Sequence, residues 1–391
     1  MIAPFNFDAP IPLAFGAGRV SKLGRDVSKL AGDEASVLLV ADPFLVESGM
    51  SEGIETTLKD AGHSVQVFAD IRSDPLASSI DALVARAREV KAGCMVALGG
   101  GSTMDAAKLA AALTVEGDAA EAYALGVQPV PRKGLPKIAI PTTSGTGSEV
   151  TRTSVFSTKD RKLWAWGNQL RFNLALLDPA LTVGMPAHLT AATGIDAAVH
   201  AIESATNKRR NPVSTAIALG AVRSLRRWLK VAVDEPDNLE ARGHVQIAAC
   251  TAGIAFDVTG VAIAHAIGHA IGELASVHHG RAVGLALNAT MQDSAGAAPQ
   301  AYAEVAQALG ANTEGLCEAE AASLAAPAYD AWLRDVGLRL SLDDHGLTSN
   351  DAERVAKLCF EPENKVMVES DSFEYSLESL TRASNRMLSA A

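Results

Sequence analysis

Up to about residue 180, short apolar runs alternate with longer amphipathic stretches. Ser36-Val37-Leu38-Leu39-Val40-Ala41 is continuously apolar apart from its first residue and is closed by Asp42-Pro43, which reads as a buried strand with an acid at its carboxyl end. Residues 65–68, 94–98, 137–140 and 174–178 read the same way, and 11–20 read as an edge strand followed by a glycine turn. Between them, residues 21–31, 43–61 and 76–92 carry helical patterns, and 153–172 read as a hairpin-like excursion. This alternation predicts a parallel sheet with helices on its faces. Beyond Gly184 the strand signal fades. Long Ala- and Leu-rich helical patterns run to the end, broken near Asn211-Pro212, residues 234–237 and residues 341–349. The expected architecture is an α/β domain over residues 1–183 and an all-α domain over 184–391, with no repeat and no flexible linker.

The chain's 391 residues suffice for a large core and two domains. Hydrophobic residues make up 48% and charged residues 20%, a globular balance, and the many alanines and glycines suit closely packed helices. A formal net charge of −11 argues against a general binder of nucleic acid or anionic membranes. No apolar run reaches about eighteen residues, so no membrane span is expected. The N-terminus lacks a basic segment followed by an apolar one, so no signal peptide is expected. Cys94, Cys250, Cys317 and Cys359 lie far apart with no CxxC, as reduced thiols of a cytoplasmic protein would.

Three stretches carry chemistry. The run at 94–98 leads into Gly99-Gly100-Gly101-Ser102-Thr103-Met104-Asp105-Ala106-Ala107-Lys108. Strand, glycines and helix start form a cradle for phosphate, because the backbone can approach closely and helix amides attract negative charge. The stretch is neither GxGxxG nor a P-loop, and a plain strand-to-helix turn is the simpler alternative; three consecutive glycines exceed what a turn requires. Pro141-Thr142-Thr143-Ser144-Gly145-Thr146-Gly147-Ser148-Glu149-Val150-Thr151 has more hydroxyls than a Ser/Thr turn needs and reads as a polar, ligand-lining loop. Finally, Asp196 and His200 are four residues apart, as are His265 and His269, and His278-His279-Gly280 follows. Each pair shares a helix face among Ala, Ile and Val, where polar groups are costly without partners. A lone buried histidine is more often a packed residue than a ligand. A carboxylate with several imidazoles, however, suits a borderline divalent metal such as Fe(II), Zn(II) or Mn(II).

With these stretches in that order, the chain resembles the iron-containing, or group III, alcohol dehydrogenases. The matching pieces are Phe15-Gly-Ala-Gly18, the glycine run through Lys108, Pro141 to Thr151, Thr193-Gly-Ile-Asp-Ala-Ala-Val-His-Ala-Ile-Glu203, and His265-x-x-x-His269 with His279-Gly280. The resemblance implies an α/β dinucleotide-binding domain with a parallel sheet plus an all-α domain, an architecture like that of dehydroquinate synthase. It implies a metal, Fe(II) first among the candidates, on Asp196, His200, His265 and His279. It implies the cofactor pyrophosphate on Gly99, Gly100, Gly101 and Ser102, with Thr142, Thr143 and Thr146 along the cofactor. Asp105 would lie near the nicotinamide and Lys162 near a ribose. His269 takes the position that in relatives lies beside the nicotinamide without binding metal, which makes His269 and Asp105 the catalytic candidates. The expected reaction is hydride transfer between a small primary alcohol or aldehyde and NAD(H), with His269 relaying the proton. The expected assembly is a homodimer or larger homo-oligomer.

The chain departs from the family at His278, where relatives often have proline, and at Cys359-Phe-Glu-Pro-Glu-Asn-Lys-Val-Met-Val-Glu-Ser370, which lacks the expected Asn-Pro-Arg ending. Three competing readings are a sugar-phosphate cyclase of the dehydroquinate synthase type, a non-catalytic nucleotide-binding protein, against which the complete metal set argues, and maleylacetate-reductase-like chemistry. The first should need several Lys or Arg residues converging on a substrate phosphate, and Arg281 and Lys162 are the nearest in sequence. Asp42, at a strand end, should hydrogen-bond the adenosine ribose and repel a 2′-phosphate, or else only cap a helix before Pro43. The expected outcome is a preference for NAD over NADP that Asp42→Gly narrows, chiefly by improving NADP binding. Parallel titrations of the two cofactors check this, and a wild type that already prefers NADP would leave Asp42 as a cap alone.

Overall fold

The computed structural model describes residues 4–8, 11–159 and 161–389. The chain divides into two compact units. One comprises Ala9–Thr143 and Gly147–Val183; the other comprises Gly184–Ala391 together with Ser144–Thr146 and a short N-terminal piece.

The first unit is built on strands β1 (Leu13–Phe15), β2 (Ser36–Ala41), β3 (Ser64–Phe68), β4 (Cys94–Gly99) and β5 (Lys137–Pro141). A separate antiparallel hairpin of β6 (Thr153–Ser157) and β7 (Lys162–Trp166) follows, and then β8 (Leu174–Leu177). Six of these form a parallel sheet in the order β1-β8-β5-β4-β2-β3. The continuous apolar runs reflect burial on both faces. Val37 and Leu39 of β2, with Val96 and Leu98 of β4, pack against Leu23 and Val27 of α1 (Leu23–Ala31). The intervening Leu38, Val40, Met95 and Ala97 face the opposite core, which includes Ile80 and Leu83. The helical pattern at 43–61 resolves into two helices, α2 (Pro43–Glu47) and α3 (Met50–Asp60). Gly49 sits between them at φ 79°, a left-handed conformation that glycine adopts without strain. Helices α4 (Ala77–Glu89) and α5 (Gly101–Leu113) complete the layers.

The chain runs from β2 to β3 on one side, then returns to place β4 on the other side of β2. This reversal is a topological switch point, and ligands of open α/β sheets bind beyond the carboxyl ends of the strands there. Asp42 follows β2 and Gly99 ends β4, while Thr142 and Thr143 follow the adjacent β5. The ends are tied together: the Asp42 amide donates to the Leu98 carbonyl (3.3 Å) and the Thr142 amide to the Gly99 carbonyl (3.0 Å).

The second unit is helical. Its helices are α6 (Ala187–Thr206), α7 (Pro212–Asp234), α8 (Leu239–Thr259), α9 (Ile263–Leu274), α10 (His279–Ala297), α11 (Pro299–Ala308), α12 (Glu318–Ser323), α13 (Ala325–Asp335), α14 (Ala352–Leu358), α15 (Pro362–Ser370) and α16 (Leu377–Leu388). Among the described residues, no single helix is long and apolar enough to cross a membrane. Helix α6 is its axis, buried at every position from 190 to 206. Sequence chemistry sets the breaks. Asn211 and Ser214 form a capping box with Pro212 at the first helical position, and Asn238 caps α8. Gly260, at φ 71°, ends α8.

Alanines let the helix axes approach, while larger side chains such as Ile195, Val199, Ile202, Leu225, Leu229 and Trp332 fill the core, each contributing on the order of 1.5–3 kcal/mol. The closest approach is at Gly280. A Cβ there would lie 2.1 Å from the Ala192 carbonyl oxygen and 3.1 Å from Asp196 Cβ. Gly280→Ala should therefore push the start of α10 away from α6 and destabilise the protein by about 1–3 kcal/mol. Gly272 of α9, which is exposed with nothing within 4 Å of an added Cβ, is the control, and Gly272→Ala should be neutral or stabilising by up to about 1 kcal/mol. Urea unfolding of the two variants and the wild type checks both outcomes.

Candidate active site

Asp196, His200 and Glu203 lie at i, i+4 and i+7 along α6, one stripe of one helix face. His265 stands in the first turn of α9, and His279 is the first residue of α10. The break at Gly260 lets α8 end and α9 begin beside α6, and the small residue at 280 lets α10 start against Asp196. Together these bring three helices to one point. Ligand atoms of Asp196, His265 and His279 all lie within 4.8 Å of one another. Asp196 Oδ1 is 3.8 Å from His279 Nε2, 3.9 Å from His265 Nε2 and 3.8 Å from His200 Nδ1. His200 Nε2 is 3.0 Å from His265 Nε2.

Each member is held in place. The His200 ring stacks on Phe256 with centroids 4.3 Å apart. Burial, reinforced by the neighbouring His265, holds its imidazole well below the ordinary histidine range, so it is neutral at pH 7. Glu203, 2% exposed, accepts from the amides of Ala262 and Ala264 (2.7 Å each), and its carboxylate meets His265 Nδ1 at 2.6 Å. The donor set fits a divalent cation. Nitrogen and oxygen ligands at about 2.1 Å from one tetrahedral ion lie about 3–3.5 Å apart, and Asp196 Oδ1 lies slightly farther, 3.8 Å from His279 Nε2 and 3.9 Å from His265 Nε2, as a site that contracts on a cation would. His278 takes the position just before α10, and His279 rather than His278 joins the cluster.

His269, one turn along α9 from His265, has its ring centroid 5.6 Å from that of His279. Its Nδ1 meets Asn364 Oδ1 at 3.3 Å. Asn364 cannot turn over freely, because its Nδ2 donates to the Leu358 carbonyl (3.0 Å). The His269 proton therefore sits on Nδ1, leaving Nε2 as the acceptor. Asn364 comes from the atypical 359–370 stretch, and neither it nor Glu203 is assigned a role by sequence reasoning. Glu203 had a usable signal in its i+7 spacing from Asp196. Asn364, 95 residues from His269, had none.

The other predicted residues belong to the α/β unit, with one exception. Gly100 precedes α5 in extended conformation, and a Cβ there would press on Thr143 Oγ1 at 3.3 Å. Gly101 and Ser102 open α5, and Ser102 Oγ accepts from the Asp74 amide (3.3 Å). The Asp42 carboxylate caps α2, accepting from the Phe44 amide (2.9 Å). Lys162 pairs with Asp74 at 2.8 Å. Thr146 groups with the helical unit, whereas Thr142 and Thr143 do not. Asp105 is engaged within the α/β unit. It accepts from Ser148 Oγ (2.5 Å) and the Val155 amide (3.0 Å), and lies 3.2 Å from Lys108 Nζ. Lys108, fully buried, also donates to the carbonyls of Ser148 and Thr153 (2.7 Å each) and to Thr151 Oγ1 (3.1 Å). This lysine and aspartate hold the hydroxyl-rich loop to α5, a role that sequence reasoning did not assign to Lys108.

Comparisons agree over nearly the whole chain. Residues 10–179 match the family described as iron-containing alcohol dehydrogenase, and residues 190–371 match the C-terminal part described as Fe-containing alcohol dehydrogenase family. Long-chain-alcohol dehydrogenase 1 of Geobacillus thermodenitrificans (strain NG80-2) is 35% identical over 344 residues, 88% of this chain and 87% of that one. Among solved structures, a 1,3-propanediol oxidoreductase superposes with a TM-score of 0.91 at 29% identity, covering 98% of this chain and 100% of its own. Sulfoacetaldehyde reductase from Bifidobacterium kashiwanohense, solved in complex with NAD+, gives 0.86 at 28% identity with both chains fully covered. The two family matches, together with a relative this similar over most of both chains, mean that this chain belongs to the iron-containing alcohol dehydrogenase family.

Proposed function

We propose that the protein is a metal-dependent oxidoreductase that moves a hydride between a small primary alcohol or its aldehyde and NAD(H). The observation that carries this reading is the buried convergence of Asp196, His265 and His279, with His200 beside them, in a member of this family. Residues 1–183 then serve as the NAD-binding domain and 184–391 as the metal-binding, catalytic domain. Fe(II) is the preferred metal, with Zn(II) and Mn(II) as candidates that the same ligands accept. A homo-oligomer in the cytoplasm completes the reading.

When bound, the metal supplies a Lewis acid and NAD supplies the hydride acceptor. The chain's own residues do the rest. Asp196, His200, His265 and His279 would hold the metal. The amides that open α5 at Gly101 and Ser102, with Gly100 before them, present donors and a positive dipole end to the pyrophosphate. Asp42 keeps a free carboxylate oxygen after capping α2, so capping and ribose recognition are compatible. Thr142, Thr143 and Thr146 are assigned to the cofactor, and Lys162 to a ribose through its partner Asp74. Asp105 acts there by fixing the loop around Ser148 rather than by meeting the substrate. Oxidation of the alcohol also releases a proton, and His269 Nε2 receives it while Asn364 retains the Nδ1 proton.

The side chains also weigh against the sugar-phosphate cyclase reading. Arg281 spends its guanidinium on Asp344, on the carbonyls of Arg339 and Ser341 and on His345, and Lys162 is paired with Asp74. Arg281 is therefore not left to gather a substrate phosphate, and one lysine in an exposed pair does not make the converging set of cations that a phosphate site needs. Maleylacetate-reductase-like chemistry is disfavoured by the intact carboxylate-and-imidazole cluster.

A panel of short alcohols and aldehydes, followed by NADH absorbance with Fe(II), Zn(II) or no added metal, tests the reading. Chelation should abolish activity, and full activity in metal-free protein would overturn it. His200→Ala should lose most of the metal while keeping its helical content. His269→Ala should keep metal and NAD affinity, while alcohol oxidation slows by roughly 10²–10⁴. A base acts when deprotonated, so the wild-type rate should fall at acid pH, and the variant should lack that limb. An unchanged rate and pH profile would reduce His269 to a packing residue.

A further inference from the structure

We propose that Glu203 is the positioning residue of the metal centre, selecting the tautomer of His265 and thereby deciding whether α9 presents a metal-binding nitrogen. The proposal rests on the metal-dependent reading above and adds a residue that no ligand set contains.

Glu203 lies on α6, and its carboxylate reaches the start of a different helix. The residue before α9 is Ala262, which has no side chain able to cap. The carboxylate takes over that task, accepting from the amides of Ala262 and Ala264. Oε2, which accepts from Ala262, also meets His265 Nδ1 at 2.6 Å, while Oε1 accepts from Ala264; Glu203 is 2% exposed, so water does not compete. Three nitrogens converge on a group that only accepts. The two amides are obligate donors, and so His265 must carry its proton on Nδ1. Its Nε2 then keeps a bare lone pair, and that nitrogen points to the cluster, 3.0 Å from His200 Nε2 and 3.9 Å from Asp196 Oδ1. In the opposite tautomer a proton would occupy the coordination position. The device therefore couples two events: α9 starts in the right place, and its first histidine arrives with the correct nitrogen deprotonated. Partners of this kind commonly change metal affinity by about 10–100-fold when removed.

Glu203→Gln leaves one acceptor and sets a donor against His265. The carboxamide oxygen, in the Oε1 place, still accepts from the Ala264 amide, while its NH₂ takes the Oε2 place against Ala262 and His265 Nδ1. That imidazole nitrogen must become an acceptor, and its proton moves to Nε2. A His265→Ala background separates the weakened cap from tautomer selection. Co(II) is the probe, with affinity read by competition against a chromophoric chelator and geometry read from its visible ligand-field bands. Glu203→Gln in the full chain should weaken Co(II) binding by about 10–100-fold and shift those bands, with NAD affinity unchanged. In a His265→Ala background the same substitution should change Co(II) affinity by less than about twofold, because the intermediary is gone. An equal loss in both backgrounds would make Glu203 a helix cap only and overturn the proposal. So would an unchanged affinity in folded Glu203→Gln protein. If the wild type itself binds no Co(II), the functional reading falls along with this one. A measurement on the wild type needs no variant to fold: long-range proton–nitrogen spectra of the Zn(II)-loaded, imidazole-labelled protein should show His265 protonated at Nδ1 and coordinated through Nε2. The reverse assignment would overturn the proposal.

Discussion

Two carboxylates, Asp196 and Glu203, are buried on one face of one helix, and an apolar interior tolerates them only with dedicated partners. Much of the helical unit answers that demand. Glu203 is met by two backbone amides and an imidazole, which requires α8 to end at Gly260 and α9 to begin within reach. Asp196 is ringed by three imidazole nitrogens at 3.8–3.9 Å, which requires α10 to begin at His279 and a residue without Cβ at 280. The helix breaks, the glycine and the alanine-rich packing are thus different expressions of one electrostatic requirement.

The α/β unit solves a different problem. The residues proposed for the nucleotide would act mainly through backbone: the end of β4, the opening of α5, and the strand ends tied across Leu98 and Gly99. The charge it buries serves rigidity. Lys108 has oxygens around its ammonium and Asp105 beside it, so the loop from Ser148 to Thr153 is fastened to α5 from inside. A loop presenting hydroxyls to a ligand needs such a fastening, because backbone disorder would otherwise be lost on binding.

Legibility in the sequence follows the range of the interactions. The strands β2 and β4 are readable because uninterrupted apolar runs have one economical fate, burial on both faces. The ligand candidates are readable because i and i+4 share a face whatever the surroundings. The break at Gly49 is harder to see, since a glycine inside a helical pattern is often tolerated. Lys108 is harder still: a lysine in a helix normally faces water, and only the surrounding carbonyls show that this one does not. The role of Glu203 depends on where a helix 60 residues away begins, and Asn364 reaches His269 across 95 residues from a stretch with no periodic signature. Residues whose meaning depends on distant backbone cannot be read from local pattern.

Ser144, Gly145 and Thr146 belong to the helical unit although the ribosome makes them long before α6. A Cβ at Gly145 would lie 2.8 Å from the Thr193 carbonyl, so this short piece finds its place only against a helix not yet synthesised when it emerges. During translation the α/β unit can close its sheet around β8 while these three residues still lack their partner. The nascent protein thus carries, inside its first folded half, a tripeptide whose settling reports that the second half has arrived.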